Sequence, residues 1–120
     1  MAPKTFRELI DRYQRGERKF CGSMLDEDPD QDLGGRSLDG VDLSDSFVVA
    51  TFASSSLRGS KFRGANVKTC DFRGCDLRDA DFSGAALDAT SFAGARLDGA
   101  LFEGAHASGH ILGAEDRPDW

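Results

Sequence analysis

Large apolar residues recur along this chain at every fifth position. From Ala50 it divides into fives: Ala50-Thr51-Phe52-Ala53-Ser54, Ser55-Ser56-Leu57-Arg58-Gly59, Ser60-Lys61-Phe62-Arg63-Gly64, and onward without a slip to His110-Ile111-Leu112-Gly113-Ala114. The central residues are Phe52, Leu57, Phe62, Val67, Phe72, Leu77, Phe82, Leu87, Phe92, Leu97, Phe102, Ala107 and Leu112; twelve of the thirteen are large and apolar. Two residues before each centre stands a small one, from Ala50 and Ser55 through Cys70 and Cys75 to Ala105, and only His110 breaks that rule. A period of five fits neither a helix at 3.6 nor a strand at 2. It fits a chain that turns a corner every five residues, the central side chain pointing inward and the small one tucked into the corner. Glycines such as Gly59, Gly64, Gly99 and Gly104 hold the fifth position, where a tight turn needs positive φ.

A longer period gives the number of sides. Phe62, Phe82 and Phe102 are twenty apart, as are Phe52, Phe72 and Phe92, and Leu57, Leu77 and Leu97. Four fives make one coil, so like side chains stack, with the two Phe columns on opposite sides of a square. Each buried Phe or Leu contributes roughly 1.5–3 kcal/mol, so the columns are the expected core. Coils are expected ~4.8 Å apart, the spacing of hydrogen-bonded strands.

Before Ala50 the register is imperfect. Leu33, Leu38 and Leu43 step by five, and the next centre is read as Phe47, a step of four that implies a one-residue deletion. Phe20 and Leu25 read as two more centres, and Asp26-Glu27-Asp28-Pro29-Asp30-Gln31 as an acidic bulged loop with three extra residues. Nineteen centres at four per coil make nearly five coils.

The pattern resembles the pentapeptide-repeat family, whose motif is A-[DN]-[LF]-x-x. Ala65-Asn66-Val67, Cys70-Asp71-Phe72, Cys75-Asp76-Leu77 and Ala80-Asp81-Phe82 carry it most clearly, and the resemblance covers about residues 18–114. It implies an all-β solenoid, a right-handed quadrilateral parallel β-helix; the spacing alone gives four sides but not the hand. Both ends of such a stack expose apolar coil edges, so caps are expected. Thr5 with Glu8 makes a capping box, Phe6, Leu9, Ile10 and Tyr13 form one helical face, and Gly16 is a stop. The expected organisation is a capping helix within residues 1–17, the β-helix over 18–114 and a tail over 115–120. Only Ile111, Leu112 and Trp120 are available to cover the last coil, unless that end is a dimer interface.

Composition narrows the class of protein. With 120 residues and 39% apolar content the chain reads as one domain with a thin core. No apolar run is long enough to span a bilayer, and the N-terminus has no apolar stretch like that of a signal peptide. Three irregularly spaced cysteines, Cys21, Cys70 and Cys75, make no disulfide framework; a cytoplasmic home is expected. The chemistry is sparse. His106 and His110, four apart, would bind zinc on a helix, but here they fall on successive sides of a coil. Cys70 and Cys75 sit at inward small-residue positions, and Cys21 at an outward one. Asp42, Asp71, Asp76 and Asp81 recur as part of the repeat, not as a catalytic pair. No nucleotide fingerprint or nucleophile–base pairing is present. Neither an enzyme nor a cofactor is expected.

Function is then expected on the outer faces, where charge runs in bands. Residues 16–35 carry net −4, 36–55 carry −2, 56–75 carry +4, 76–95 carry −3 and 96–115 carry −2. Arg58, Arg63, Lys68, Arg73 and Arg78 each follow a core residue and so ring one coil, with Lys61 beside them. They either neutralise neighbouring acidic coils through solvated pairs or meet an acidic partner. With Asp76, Asp79, Asp81 and Asp88 they form the candidate interaction surface, for which a protein partner is expected. A net charge of −6 argues against direct nucleic-acid binding by the whole surface, though a local basic patch is not excluded by it, and with no bilayer-spanning apolar run no membrane association is expected. The resemblance offers one specific alternative, since members of the family protect DNA gyrase by imitating duplex DNA. Duplex DNA carries one charge per ~1.7 Å, and the +4 band interrupts any such imitation.

Overall fold

The computed structural model describes residues 2–26, 33–118 and 120. Its organising feature is a ladder of parallel bridges between residues one coil apart. Eight bridges, from Thr51↔Asp71 to Ala86↔His106, join residues exactly twenty positions apart in the chain. The ladder groups the inward side chains into four columns, which define four faces. Face A stacks Phe20, Leu43, Phe62, Phe82 and Phe102; face B stacks Leu25, Val48, Val67, Leu87 and Ala107. Face C stacks Leu33, Phe52, Phe72 and Phe92, and face D stacks Leu38, Leu57, Leu77 and the partly buried Leu97.

Each rung is made in the same way. A centre N–H donates to the coil above, as Phe62 does to the Asp81 carbonyl at 2.7 Å, and the preceding N–H donates to the coil below, as Lys61 does to Val41 at 2.8 Å. The corner closes with a bond from the next small residue back to the centre, such as Ala65 N–H to the Phe62 carbonyl at 3.0 Å. Inside, Phe52, Phe72 and Phe92 stack with centroids 5.2 and 5.3 Å apart, and Phe62, Phe82 and Phe102 with 4.9 and 5.3 Å. The two columns meet edge to face, for example Phe72 on Phe82 at 5.4 Å and 83°. Such ring pairs add about 0.5–1.5 kcal/mol each beyond the area they bury.

The bridges also locate the irregularities. Lys19↔Asp42 and Met24↔Phe47 span twenty-three residues, three more than a coil, because of the insertion between Leu25 and Leu33. The acidic loop expected there lies, from residue 27 to 32, outside the described residues. Ser37↔Ser56, Asp42↔Lys61 and Phe47↔Asn66 span nineteen. The missing residue is not where the sequence reading puts it. Phe47 is 37% exposed and Val48 fully buried, so Val48 is the centre and the step of four runs from Val48 to Phe52. Ser46, small and buried, fits the corner two residues before Val48, and that steric requirement overrides the greater hydrophobicity of Phe47.

Helix α1 spans Phe6–Gln14. The Thr5 side chain accepts the Glu8 N–H at 3.1 Å and the Glu8 carboxylate accepts the Lys4 N–H at 3.0 Å. Phe6 and Leu9 are buried in the common core, Phe6 edge-on to Phe52 at 6.2 Å, and the Tyr13 hydroxyl donates to the Asp39 carbonyl at 2.7 Å. Strands β1 (Met24–Leu25) and β2 (Phe47–Val48) pair in parallel, whereas β3 (His106–Ala107) and β4 (His110–Ile111) pair antiparallel.

That last hairpin is a second correction. The fives do not continue to Leu112, because the chain reverses at Ser108 and Gly109, with φ of 51° and 82°. Two successive positive φ values are the signature of the tight turn whose twist suits a hairpin. Ala107 leaves its column short of volume and His110 is too large for a corner, so folding back is sterically easier than starting another side. Leu112 N–H then donates to Ala105 at 2.7 Å, Gly104 N–H to Leu112 at 2.8 Å and Phe92 N–H to the Trp120 carbonyl. Trp120 sits edge-on over Phe92 at 6.4 Å, where the face C column ends.

Candidate functional site

The outward residues on each face are those beside the inward column. Among the described residues face A carries Lys19, Asp42, Asp45, Lys61, Arg63, Asp81 and Glu103, and face D carries Asp39, Arg58, Asp76, Arg78, Asp79, Arg96 and Asp98. Each has three cations and four anions, and one further exposed cation, Arg18 for face A and Arg36 for face D, stands at the corner that leads into it. Face B carries only Asp26, Lys68 and Asp88, and face C only Asp71 and Arg73. Charge is thus concentrated on two adjacent faces that share a corner.

The basic ring is largely paired. Arg63 reaches Asp81 on the coil above at 2.8 Å, and Lys68 reaches Asp88 at 3.8 Å. Arg73 and Arg78 fold back two residues onto Asp71 and Asp76, each at 2.7 Å. Arg58 donates its N–H to Asp39 at 2.9 Å and makes no ion pair among the described residues. The Arg78 guanidinium bonded to Asp76 holds that carboxyl down at about 2. Arg73 lowers Asp71 in the same way. Partial burial works to raise Asp81 and Asp42, but hydrogen bonds from Ser83 and Ser44 outweigh it, aided by Arg63 and Lys61 respectively. Asp79 instead stands at a turn with φ of 62°, its carboxylate lying over Gly99 of the next coil.

The remaining candidates separate. His106 and His110 do not lie on successive sides of a coil; they sit on the two strands of the hairpin, opposite Ile111 and Ala107. Among the described residues no group of three His, Cys, Asp or Glu side chains is placed to hold a metal ion. Cys70 and Cys75 are buried corner residues whose thiols donate to the Val48 and Phe52 carbonyls, and burial pushes them up to about 12 and about 11. Cys21 is exposed, but desolvation and the neighbouring Asp42 carboxylate raise its thiol and make it a poorer nucleophile. Ile111 is 77% exposed and points away from the core that Leu112 and Trp120 help to close. An apolar groove of about 370 Å³ remains between Leu87, Ala107, Leu112 and Trp120. Among the described residues no helix is long and apolar enough to cross a membrane.

One surface went unseen in the sequence. The outward column of face B runs Met24, Phe47, Asn66, Ala86 and His106, and Ile111 follows across the hairpin. Placing Phe47 in the core hid it. The small Ser46 was the signal that would have moved Phe47 outward.

Comparison with known proteins accords with this geometry. A family model described as pentapeptide repeats matches in eight copies over residues 32–79 and 68–104. Among solved structures, the chain resembles HetL, a pentapeptide-repeat protein involved in heterocyst differentiation regulation from the cyanobacterium Nostoc sp. strain PCC 7120. The identity is 28% and the TM-score 0.76, over 88% of this chain and 42% of HetL, so the chain spans less than half of that protein. It is also 32% identical to alr5209, a pentapeptide-repeat protein from the same cyanobacterium, over 89% of this chain and 84% of that one, with a TM-score of 0.49. QnrB1, a plasmid-mediated fluoroquinolone resistance protein, matches at 18% identity and a TM-score of 0.42, over 77% of this chain and 64% of that one. That likeness is too low to bear on function. No curated protein matches the chain.

Proposed function

Because the chain belongs to the pentapeptide-repeat family, we propose that it is a non-catalytic scaffold that binds a protein through its charged faces A and D. In this reading the solenoid has about five right-handed coils, lidded by α1 at one end and by the C-terminal hairpin at the other. The observation that carries it is the sorting of charge onto two adjacent faces while the buried columns repeat alike under all four. Buried packing does not require that sorting. Preformed faces lose little entropy on binding, and patterned charge supplies specificity and association rate more than raw affinity. Arg58, Lys61 and Arg63, with Arg78, Asp76, Asp79 and Asp81, are the proposed contact residues; Lys68, Arg73 and Asp88 lie on the other two faces.

The pattern of sign favours a protein over a nucleic acid and over gyrase mimicry. Along face A the outward column runs Lys19, Asp42, Lys61 and Asp81, alternating over four successive coils before it reaches Leu101. Duplex DNA presents charge of one sign at ~1.7 Å intervals, so an imitation of it would not alternate. The three free cysteines support a reducing, cytoplasmic setting.

The test is affinity capture from native lysate with three baits: the natural chain, a face A and D variant (Arg58→Ser, Lys61→Ser, Asp79→Ser) and a face C control (Ser91→Asn). A specific partner retained by the natural chain and the control but lost by the variant supports the reading. Equal retention by all three refutes it. A gyrase supercoiling assay with and without a fluoroquinolone runs beside it; inhibition or drug protection would replace the scaffold reading with mimicry.

A further inference from the structure

Among the described residues face B differs from the others in carrying three of the five large hydrophobic side chains that stand exposed, Met24, Phe47 and Ile111. Its outward column forms six successive rungs, Met24, Phe47, Asn66, Ala86, His106 and Ile111, joined by continuous backbone pairing. Met24 is 68% exposed, Phe47 37% and Ile111 77%. Two bulky rungs at one end and two at the other flank Asn66 and Ala86, which form a shallow saddle. Beside the middle of the saddle stand two charges, Lys68 on one coil and Asp88 on the next, in a loose contact of 3.8 Å with both side chains about half exposed.

We propose that face B is the surface through which two copies of this chain associate, side by side and antiparallel. The arrangement is self-complementary in charge. A two-fold axis lying across the face, between the Asn66 and Ala86 rungs, sets each rung opposite its counterpart counted from the other end. Phe47 meets the second copy's His106 rung, Met24 its Ile111 rung and Asn66 its Ala86 rung. The same axis carries Lys68 of one copy opposite Asp88 of the other, and Asp88 opposite Lys68, so each charge exchanges its loose partner for an equivalent one across the interface. A closed two-fold dimer requires such a patch, and an unrelated apolar partner would not require the charges to swap. With molecular extents of 36 × 23 × 22 Å, each face offers roughly 500 Å², or ~1,000 Å² in all, at the low end for a specific interface. The dimer is therefore weak and concentration-dependent, and it leaves faces A and D free. The inference does not depend on the partner proposed for those faces.

Weight-average mass across a concentration series tests it, with circular dichroism melts verifying that each chain is folded. The natural chain is expected to move from monomer toward dimer mass below ~1 mM. Lys68→Asp and Asp88→Lys each set like charges face to face and should weaken association at least ~10-fold. The double variant Lys68→Asp/Asp88→Lys should restore it to within ~3-fold, and Phe47→Ser should weaken it with no rescue. Monomer mass throughout for the natural chain overturns the proposal. So does a dimer indifferent to these four variants, which would place the contact at another surface.

Discussion

Faces A and D differ from faces B and C outside far more than inside. Aromatic columns lie under A and C, aliphatic ones under B and D, so the interior alternates around the square. Among the described residues the charges do not follow that alternation; they concentrate on D and A, which are neighbours, and are few on B and C. Two patterns of different symmetry therefore coexist in one repeat. The inner one is required by stacking, because a coil that lacks a large central side chain leaves a void. The outer one is free of that constraint and reports on what the surface meets.

The largest effect should come from the interior and should ignore the outer difference. Phe72→Ala beneath face C and Phe82→Ala beneath face A should each cost about 3–5 kcal/mol in denaturant unfolding, since each ring stacks on two others and meets the opposite column. A large inequality between them would break the claim that faces A and C are equivalent inside. Next come the turns. Gly94 on face C and Gly99 on face D both have positive φ, 72° and 74°. A Cβ at Gly94 would meet nothing closer than 3.9 Å, whereas at Gly99 it would overlap an Asp79 carboxylate oxygen. Gly94→Ala should cost about 1 kcal/mol and Gly99→Ala only slightly more, about 1.5, because the exposed Asp79 carboxylate can turn aside, with Asp79→Gly reducing the second towards the first. Smaller still is a gain: Thr69, β-branched with φ of 65°, is strained, and Thr69→Asn should stabilise the fold by about 1 kcal/mol in thermal unfolding.

The smallest effect is in titration. Asp76 on face D and Asp71 on face C are both held below the ordinary carboxylate range by a hydrogen-bonded arginine, Asp76 at about 2. A lowered folded value means that their contribution to stability is complete above an unfolded pKa of ~3.9. It is then lost as pH falls toward the folded value. Carboxyl chemical shifts should show Asp76 titrating near 2 in the natural chain and moving up toward ~3.9 in Arg78→Gln. An unmoved midpoint would show that the pair is not formed in solution.

The repeating interior was legible in the sequence because stacking demands the same residue type every twenty positions, and Phe62, Phe82 and Phe102 announce it. Two places were misread, and both are where local geometry outranks hydrophobicity. Between Phe47 and Val48 the corner at Ser46 decides which residue turns inward. At Ser108 and Gly109 the fives continue on paper, while a pair of positive φ values sends the chain back along its own edge. Charge bands were legible by counting, but their distribution over faces was not. The three-residue insertion before Leu33 and the single deletion after Val48 shift which face each earlier residue occupies. The face B rail, built from residues up to 87 positions apart between Met24 and Ile111, appears only when the coils are stacked.

The central claim is that the surface is divided, faces A and D for a partner and face B for a second copy. Amide chemical-shift mapping on one labelled sample tests it most directly, first by dilution and then by adding a partner recovered in the capture experiment. The account predicts that dilution moves Phe47, Asn66, Ala86 and His106 and leaves Arg58, Lys61, Asp81 and Arg96 in place, while the partner does the reverse. Both perturbations falling on one face, or dilution moving the charged faces, would contradict it.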